Sequence, residues 1–342
     1  GFNLEHKMGL SSIEFTSIAQ KVSGQHLRSN RVYQLFQSNQ GFFHKHGFAH
    51  RTYINNSMFF GEITIGSNRS TGFVEGIIKP LSKSLSFTAL YRRLGKGFID
   101  RYSKTFTESS LSRNETGYYI GLQFNASYKL TISSYVDRYQ FNWLTSSTLT
   151  PSRGTDYLVD VKYKVSKRLQ WYVRLKSETK QTHQLLKTSA KQLVNATTIK
   201  IRIHLTTAPT KRLSLKTRYE ASIFDNEHQS SQGSMLYQDV RITFPKRRLK
   251  LTMRLAMANI DQYANRIYAY ENDVAYSYSV PFYQDNQTRT YALIQYPIKP
   301  NIDLWCKVGL DYKSDLKGFG SGLDSVSSPH RTDVKFQIRI RI

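Results

Sequence analysis

Residues 212–223 read Arg-Leu-Ser-Leu-Lys-Thr-Arg-Tyr-Glu-Ala-Ser-Ile. Leu213, Leu215, Tyr219, Ala221 and Ile223 fall on one phase of a two-residue period. Arg212, Ser214, Lys216, Arg218, Glu220 and Ser222 fall on the other. Successive side chains of an extended strand point to opposite faces, so this stretch predicts a strand with one apolar and one largely cationic face. The pattern continues in both directions. Ile199, Ile201, Ile203 and Leu205 oppose Thr198, Lys200, Arg202 and His204, and Leu169, Trp171, Val173 and Leu175 oppose Gln170, Tyr172, Arg174 and Lys176. At the end of the chain, Val334, Phe336, Ile338, Ile340 and Ile342 oppose Lys335, Gln337, Arg339 and Arg341. The helical 3.6-residue period is nearly absent.

A water-soluble sandwich alternates in the same way. Two features favour a membrane wall instead. The segments run to ~10–13 residues, where globular strands have about 5–6 and a tilted membrane strand needs about 9–11. Aromatic residues gather near segment ends, as at Tyr118-Tyr119, Tyr139 to Trp143, Tyr157 and Trp171-Tyr172, which suits interfacial girdles. The chain has 342 residues, with 49 Lys and Arg against 24 Asp and Glu, a formal net charge of +25, and 42 Tyr and Phe (23 and 19). This is too rich in aromatic and β-branched residues for a disordered chain. The single Cys excludes an internal disulfide and a Cys-rich zinc site. No apolar run approaches the ~18 residues of a transmembrane helix. Gly1 opens into Gly-Phe-Asn-Leu-Glu-His-Lys-Met-Gly with no signal-peptide pattern, as expected of a mature end or of a start inside a longer protein.

The expected architecture is therefore all-β: a transmembrane antiparallel β-barrel of about 18 strands (roughly 16–20), in a single domain over 1–342, in the outer membrane of a diderm bacterium. Short connections such as 81–84, 125–127, 166–167 and 245–247 alternate with long ones near 24–46, 95–115, 141–154, 181–195 and 314–330, as short periplasmic turns alternate with outer loops. The alternation slips at Pro300-Asn301. Residues 266–280 read as one of the wall strands, so either 261–287 hides an extra crossing or one of its pieces is not a wall strand.

In such a wall the cationic phase must face the lumen, because Arg or Lys against lipid costs roughly 2–4 kcal/mol at mid-membrane. That assigns Lys162, Lys164, Arg174, Lys176, Lys200, Arg202, Lys216, Arg218, Lys250, Arg254, Lys335, Arg339 and Arg341 to the interior. The bland alternative is that these cations are paired or hydrated and that loops plug the lumen. A positive, water-filled interior would favour anionic solutes or nucleic acid. Glu271 and Asp273 are a candidate latch for Arg266 or wall arginines. Expected partners are outer-membrane lipid and lipopolysaccharide, the barrel-assembly machinery and other subunits of an envelope complex.

No catalytic residue, metal or cofactor is expected. His44 and His46 would share a strand face, a spacing that suits imidazole ligation, but Lys45 and the lack of nearby carboxylates point to an exposed basic loop that also holds His50. Asp225-Asn226-Glu227-His228 is the best candidate for a rim hydrolase and lacks a second acidic pair. His204 would need an orienting Asn or Asp to activate a Ser. Gly318 to Asp324 resembles a phosphate loop only superficially and reads as a flexible connection able to fold inward. Cys306 is expected to face lipid. The 335–342 stretch is similar to the terminal strand read by barrel-assembly machinery, although Ile342 replaces the usual aromatic.

Residues 236–241 (Leu-Tyr-Gln-Asp-Val-Arg), 266–274 (Arg-Ile-Tyr-Ala-Tyr-Glu-Asn-Asp-Val), 276–281, 301–305 and 320–324 carry a resemblance, extended weakly by 33–36 and 118–122. They are similar to the barrel portion of outer-membrane proteins that carry a helix-hairpin-helix (competence-type) domain. The resemblance implies an outer-membrane barrel without catalytic residues, and DNA binding or uptake as an alternative function. The helix-hairpin-helix module itself is not legible in this chain.

Overall fold

The computed structural model describes residues 1–21, 31–36, 42–98, 105–109, 112–185, 191–315, 318–320 and 322–341. Ser321 of the glycine-rich connection and Ile342 of the terminal strand lie outside them. The strands are β1 (Phe2–Met8), β2 (Ser11–Lys21), β3 (Phe42–Ile54), β4 (Ser57–Gly66), β5 (Thr71–Pro80), β6 (Leu85–Leu94), β7 (Glu115–Asn125), β8 (Leu130–Phe141), β9 (Ser152–Ser166) and β10 (Leu169–Leu185). They continue as β11 (Lys191–Thr207), β12 (Leu213–Asp225), β13 (Ser230–Phe244), β14 (Leu249–Ile260), β15 (Ile267–Tyr268), β16 (Phe282–Tyr283), β17 (Asp285–Lys299), β18 (Ile302–Lys313) and β19 (His330–Ile340).

Seventeen of these strands belong to one sheet. Each of β1 to β7 pairs antiparallel with the next. The same holds through β12, β13, β14, β17, β18 and β19. The ladder is open: no pairing among the described residues joins the first strand to the last. One two-residue connection is the Asn55-Asn56 turn between β3 and β4. Both residues have positive φ (46° and 63°), as a two-residue hairpin matched to strand twist requires.

The chain divides into two compact units, Gly1–Val159 with Ser177–Thr197, and Asp160–Lys176 with Thr198–Ile342. Strands β9, β10 and β11 contribute residues to both.

The structure corrects the reading of 266–280 as a wall strand and resolves the parity slip. β14 pairs directly with β17, in register from Lys250↔Gln295 to Ile260↔Asp285. Residues 261–284 form a connection whose own strands, β15 and β16, make a separate two-stranded sheet. The histidine stretch is also corrected. His44, His46 and His50 lie in β3, not in a loop, and His50 Nε2 sits 3.1 Å from Glu75 Oε2.

Burial along the strands is inverted relative to a water-soluble protein. In β18, Lys307 is 0% exposed while Leu310 is 51% exposed. In β14, Arg254 is 3% exposed while Leu255 is 50% exposed. Phe336, Val334, Ile338 and Ile340 of β19 are all exposed. A continuous apolar face of this extent is stable only against hydrocarbon or another apolar layer. Leu255→Arg is therefore expected to cost about 2–4 kcal/mol in reversible folding titrations in phospholipid vesicles, whereas a change under ~0.5 kcal/mol would contradict a lipid-facing position.

Candidate functional site

The covered, charged face of the second unit converges on segment 261–284. Asn265 anchors its start. Its side chain is fully buried, donates to Ser231 Oγ at 2.7 Å and accepts from Ser222 Oγ at 3.1 Å. The segment then alternates like a strand. Ile267, Ala269 and, on the return, Tyr283 pack against Met235, Tyr237, Ala256, Ala258 and Ile260 of β13 and β14. Val274 and Ala275 lie against Tyr291, Leu293 and Trp305. Wall arginines hold its backbone: Arg218 Nη2 donates to the Tyr268 carbonyl at 2.9 Å and Arg254 Nη1 to the Tyr270 carbonyl at 2.8 Å. Tyr263, Tyr268, Tyr270, Tyr276, Tyr278 and Phe282 point the other way and are exposed.

The centre of the site is a buried ion cluster. Arg289 of β17 makes a bidentate pair with Glu271, Nε to Oε1 at 2.6 Å and Nη2 to Oε2 at 2.9 Å. Lys307 Nζ of β18 donates to Glu271 Oε2 at 3.2 Å, and Lys335 Nζ of β19 donates to Asp273 Oδ2 at 2.6 Å. Arg289 also pairs with Asp311, which in turn accepts from Arg331 at 2.8 Å. Burial alone would push both segment carboxyls up. Hydrogen bonds from Arg289 to Glu271 and from Lys335 to Asp273, together with the Lys307 charge, outweigh it and hold both below the usual carboxylate range.

Two further clusters hold cations on the polar face. In the first unit, Arg92 of β6 bonds Glu115 of β7 (2.7 Å) and Asp137 of β8 (2.9 Å), all buried. Gly117 makes room for it, since a Cβ there would lie 2.4 Å from the Arg92 guanidinium carbon. In the second unit, buried Phe319 is covered by Arg331 (4.7 Å) and Lys313 (4.9 Å), so the glycine-rich connection does pack onto the polar face.

Among the cations expected to face the interior, Arg218 and Arg254 are buried and pair with Glu220 and Asp239. Arg174, Lys176, Lys200, Arg202, Lys216, Lys335 and Arg339 are half-buried, with Arg174 on Asp160 (2.6 Å), Arg202 on Glu220 (2.5 Å) and Arg339 on Asp303. Lys162, Lys164, Lys250 and Arg341 are exposed, and Arg341 pairs with Asp303 at 2.6 Å. Glu271 and Asp273 meet wall cations, while Arg266 lies apart from them, stacked on Tyr263 at 4.1 Å and bonded to the Tyr268 hydroxyl at 2.9 Å. Arg92, Arg289, Lys307 and Lys313 are central to these clusters and were not singled out by the sequence. The alternation of Lys307 with Cys306 and Val308 was the available signal.

The hydrolytic candidates do not assemble. Asp225 and His228 are exposed at the β12–β13 connection, and His204 stacks on Tyr172 at 5.2 Å. No group of three metal-ligating side chains occurs among the described residues.

The fold has counterparts among solved structures. The chain is similar to the copper transporter OprC (TM-score 0.51, 9% identity, covering 90% of this chain and 58% of that one). Weaker likenesses join it to the outer membrane channel DcaP of Acinetobacter baumannii (TM-score 0.43, 10% identity, 83% and 96% covered) and to OmpT, an outer membrane protein of Vibrio cholerae (TM-score 0.45, 8% identity, 98% and 99% covered). No family model and no curated protein matches the chain. The chain has the outer-membrane β-barrel fold. Its apolar strand faces are exposed, as an outer-membrane wall requires.

Glu271→Gln leaves Arg289 and Lys307 buried beside a neutral group. Loss of one partner from a buried pair costs about 3–5 kcal/mol, so residues 261–284 are expected to lose hydrogen-exchange protection while the β2–β8 ladder keeps its own. Because the depressed carboxyls stabilise the segment above their unfolded pKa values of about 4, its protection is expected to be flat from neutral pH to about 5 and to fall only below that range. A midpoint near neutrality would contradict the charged cluster.

Proposed function

We propose that the chain is a non-enzymatic outer-membrane pore or translocation component, with the polar strand face lining its lumen and segment 261–284 narrowing it. The observation that carries this reading is the uneven compensation of charge on that face. Acids neutralise the cations around the ion cluster, but Lys162, Lys164, Lys216 and Lys250 have no ion pair among the described residues. Uncompensated cations in a water-filled passage lower the entry barrier for anions. A cavity of about 410 Å³ beside the segment, bounded by Arg241, Lys250 and Trp305, gives such anions room.

Nucleic-acid handling is a second reading of the same cations, favoured by the exposed rings of segment 261–284, which are suited to stacking bases. DNA retention that does not weaken with salt would remove it.

Planar-bilayer recording tests the pore. The wild-type chain is expected to conduct with a chloride-over-potassium preference. The Glu271→Gln, Asp273→Asn pair is expected to raise both conductance and that preference by freeing the segment and exposing more positive charge. A stably silent wild-type protein, or one selective for cations, would overturn the proposal.

A further inference from the structure

In the first unit, the outward apolar face carries charges that the bilayer interior would not tolerate. Tyr118↔Arg138 and Ile120↔Val136 are facing pairs of β7 and β8, and Tyr118 and Ile120 are exposed. Arg138 is therefore on the lipid side, and it is exposed with no acidic partner among the described residues. Arg153 of β9 is likewise exposed and has no acidic partner among the described residues. Both line one groove of about 690 Å³ together with Gln140, Tyr118, Ile120 and Val136.

The groove is graded along the strands. Arg138 and Gln140 lie near the end of β8 that leads into the long 142–151 connection, and Arg153 lies at the start of β9, just beyond it. Ile120 and Val136 lie further from that connection, towards the short 126–129 turn. Long connections mark the outer side of a bacterial barrel. The groove thus offers guanidinium and amide groups at the level of the outer headgroups and an apolar floor beneath. Arginine on a lipid-facing strand is costly at the bilayer centre and nearly free at the interface, where phosphate can accept its fork of donors.

We infer that this groove is a specific site for a phosphorylated glycolipid of the outer leaflet. Arg138 and Arg153 take its phosphates, Gln140 bonds its sugar or amide groups, and its acyl chains lie on Ile120, Val136 and the Tyr118 ring. Phosphate esters are fully anionic and present several acceptors, which suits two arginines without carboxylate partners better than a zwitterionic headgroup would. The site is independent of whether the barrel conducts.

The test is native mass spectrometry of the full chain released from micelles doped equally with bisphosphorylated lipid A, its monophosphoryl form and phosphatidylglycerol. Wild-type protein is expected to retain lipid A one-to-one, ahead of the monophosphoryl form and well ahead of phosphatidylglycerol. Arg138→Gln with Arg153→Gln removes two charge-assisted contacts and is expected to lower lipid A occupancy at least about tenfold. A control pair in the short β9–β10 turn, Lys167→Gln with Arg168→Gln, is expected to leave it unchanged. Heat-modifiable gel migration establishes that each variant is folded. Equal retention of phosphatidylglycerol, displacement of lipid A by millimolar inorganic phosphate alone, or undiminished occupancy in the Arg138, Arg153 variant would each overturn the inference.

Discussion

Hydrocarbon supplies no hydrogen-bond partner and no stabilisation for charge, and this constraint orders the whole molecule. Backbone groups are satisfied strand to strand, and over most of the wall the two side-chain phases separate by character. In β14, β18 and β19 the phase that would form the core of a soluble protein is the exposed one, while Arg254 and Lys307 are covered. An inside-out distribution of this kind has a direct consequence: whatever covers the buried charges must supply them with opposite charge or hydrogen bonds.

Segment 261–284 meets that demand in the second unit. It brings Glu271 and Asp273 to three cations from three consecutive wall strands, β17, β18 and β19. A cluster of this kind need not add net stability, since desolvating five charged groups is costly. Its effect is to fix geometry: displacing the segment would strand several buried charges at once. Arg92 with Glu115 and Asp137 does the same across β6, β7 and β8, where the Glu108 and Ser109 N–H groups of the β6–β7 connection donate to Glu115 and the Phe106 ring lies over Arg92. On the proposed reading, function on the covered face depends on the cations these acids do not reach.

Much of the fold was legible because strand period and strand length are local properties. Residues 212–223 alone disclose both faces of β12. The misreading of 266–280 has a physical cause. Ile267, Ala269 and Glu271 alternate with Tyr268, Tyr270 and Asn272 just as wall residues do, and a two-residue period does not reveal which surface the strand packs upon. The acids of the latch were legible because they interrupt an apolar run. Their partners were not, because Arg289, Lys307 and Lys335 meet them through inter-strand register and the inward fold of the connection, neither of which is a local property. Arg266 shows the converse, since nearness in sequence did not become contact. Arg138 and Arg153 went unremarked for the same reason, as only the assembled sheet shows that they share a groove on the apolar side.

On this architecture the exposed apolar phase touches lipid and the covered phase does not. Site-directed labelling decides it most directly. With Cys306 replaced by Ser, an environment-sensitive fluorophore is attached in turn at Leu255, Phe336, Thr252 and Gln337 of protein reconstituted in vesicles. Labels at Leu255 and Phe336 are expected to be quenched by lipid-borne quencher and shielded from aqueous iodide, with labels at Thr252 and Gln337 showing the opposite order. Uniform iodide quenching at Leu255 and Phe336, with no response to the lipid-borne quencher, would contradict the account.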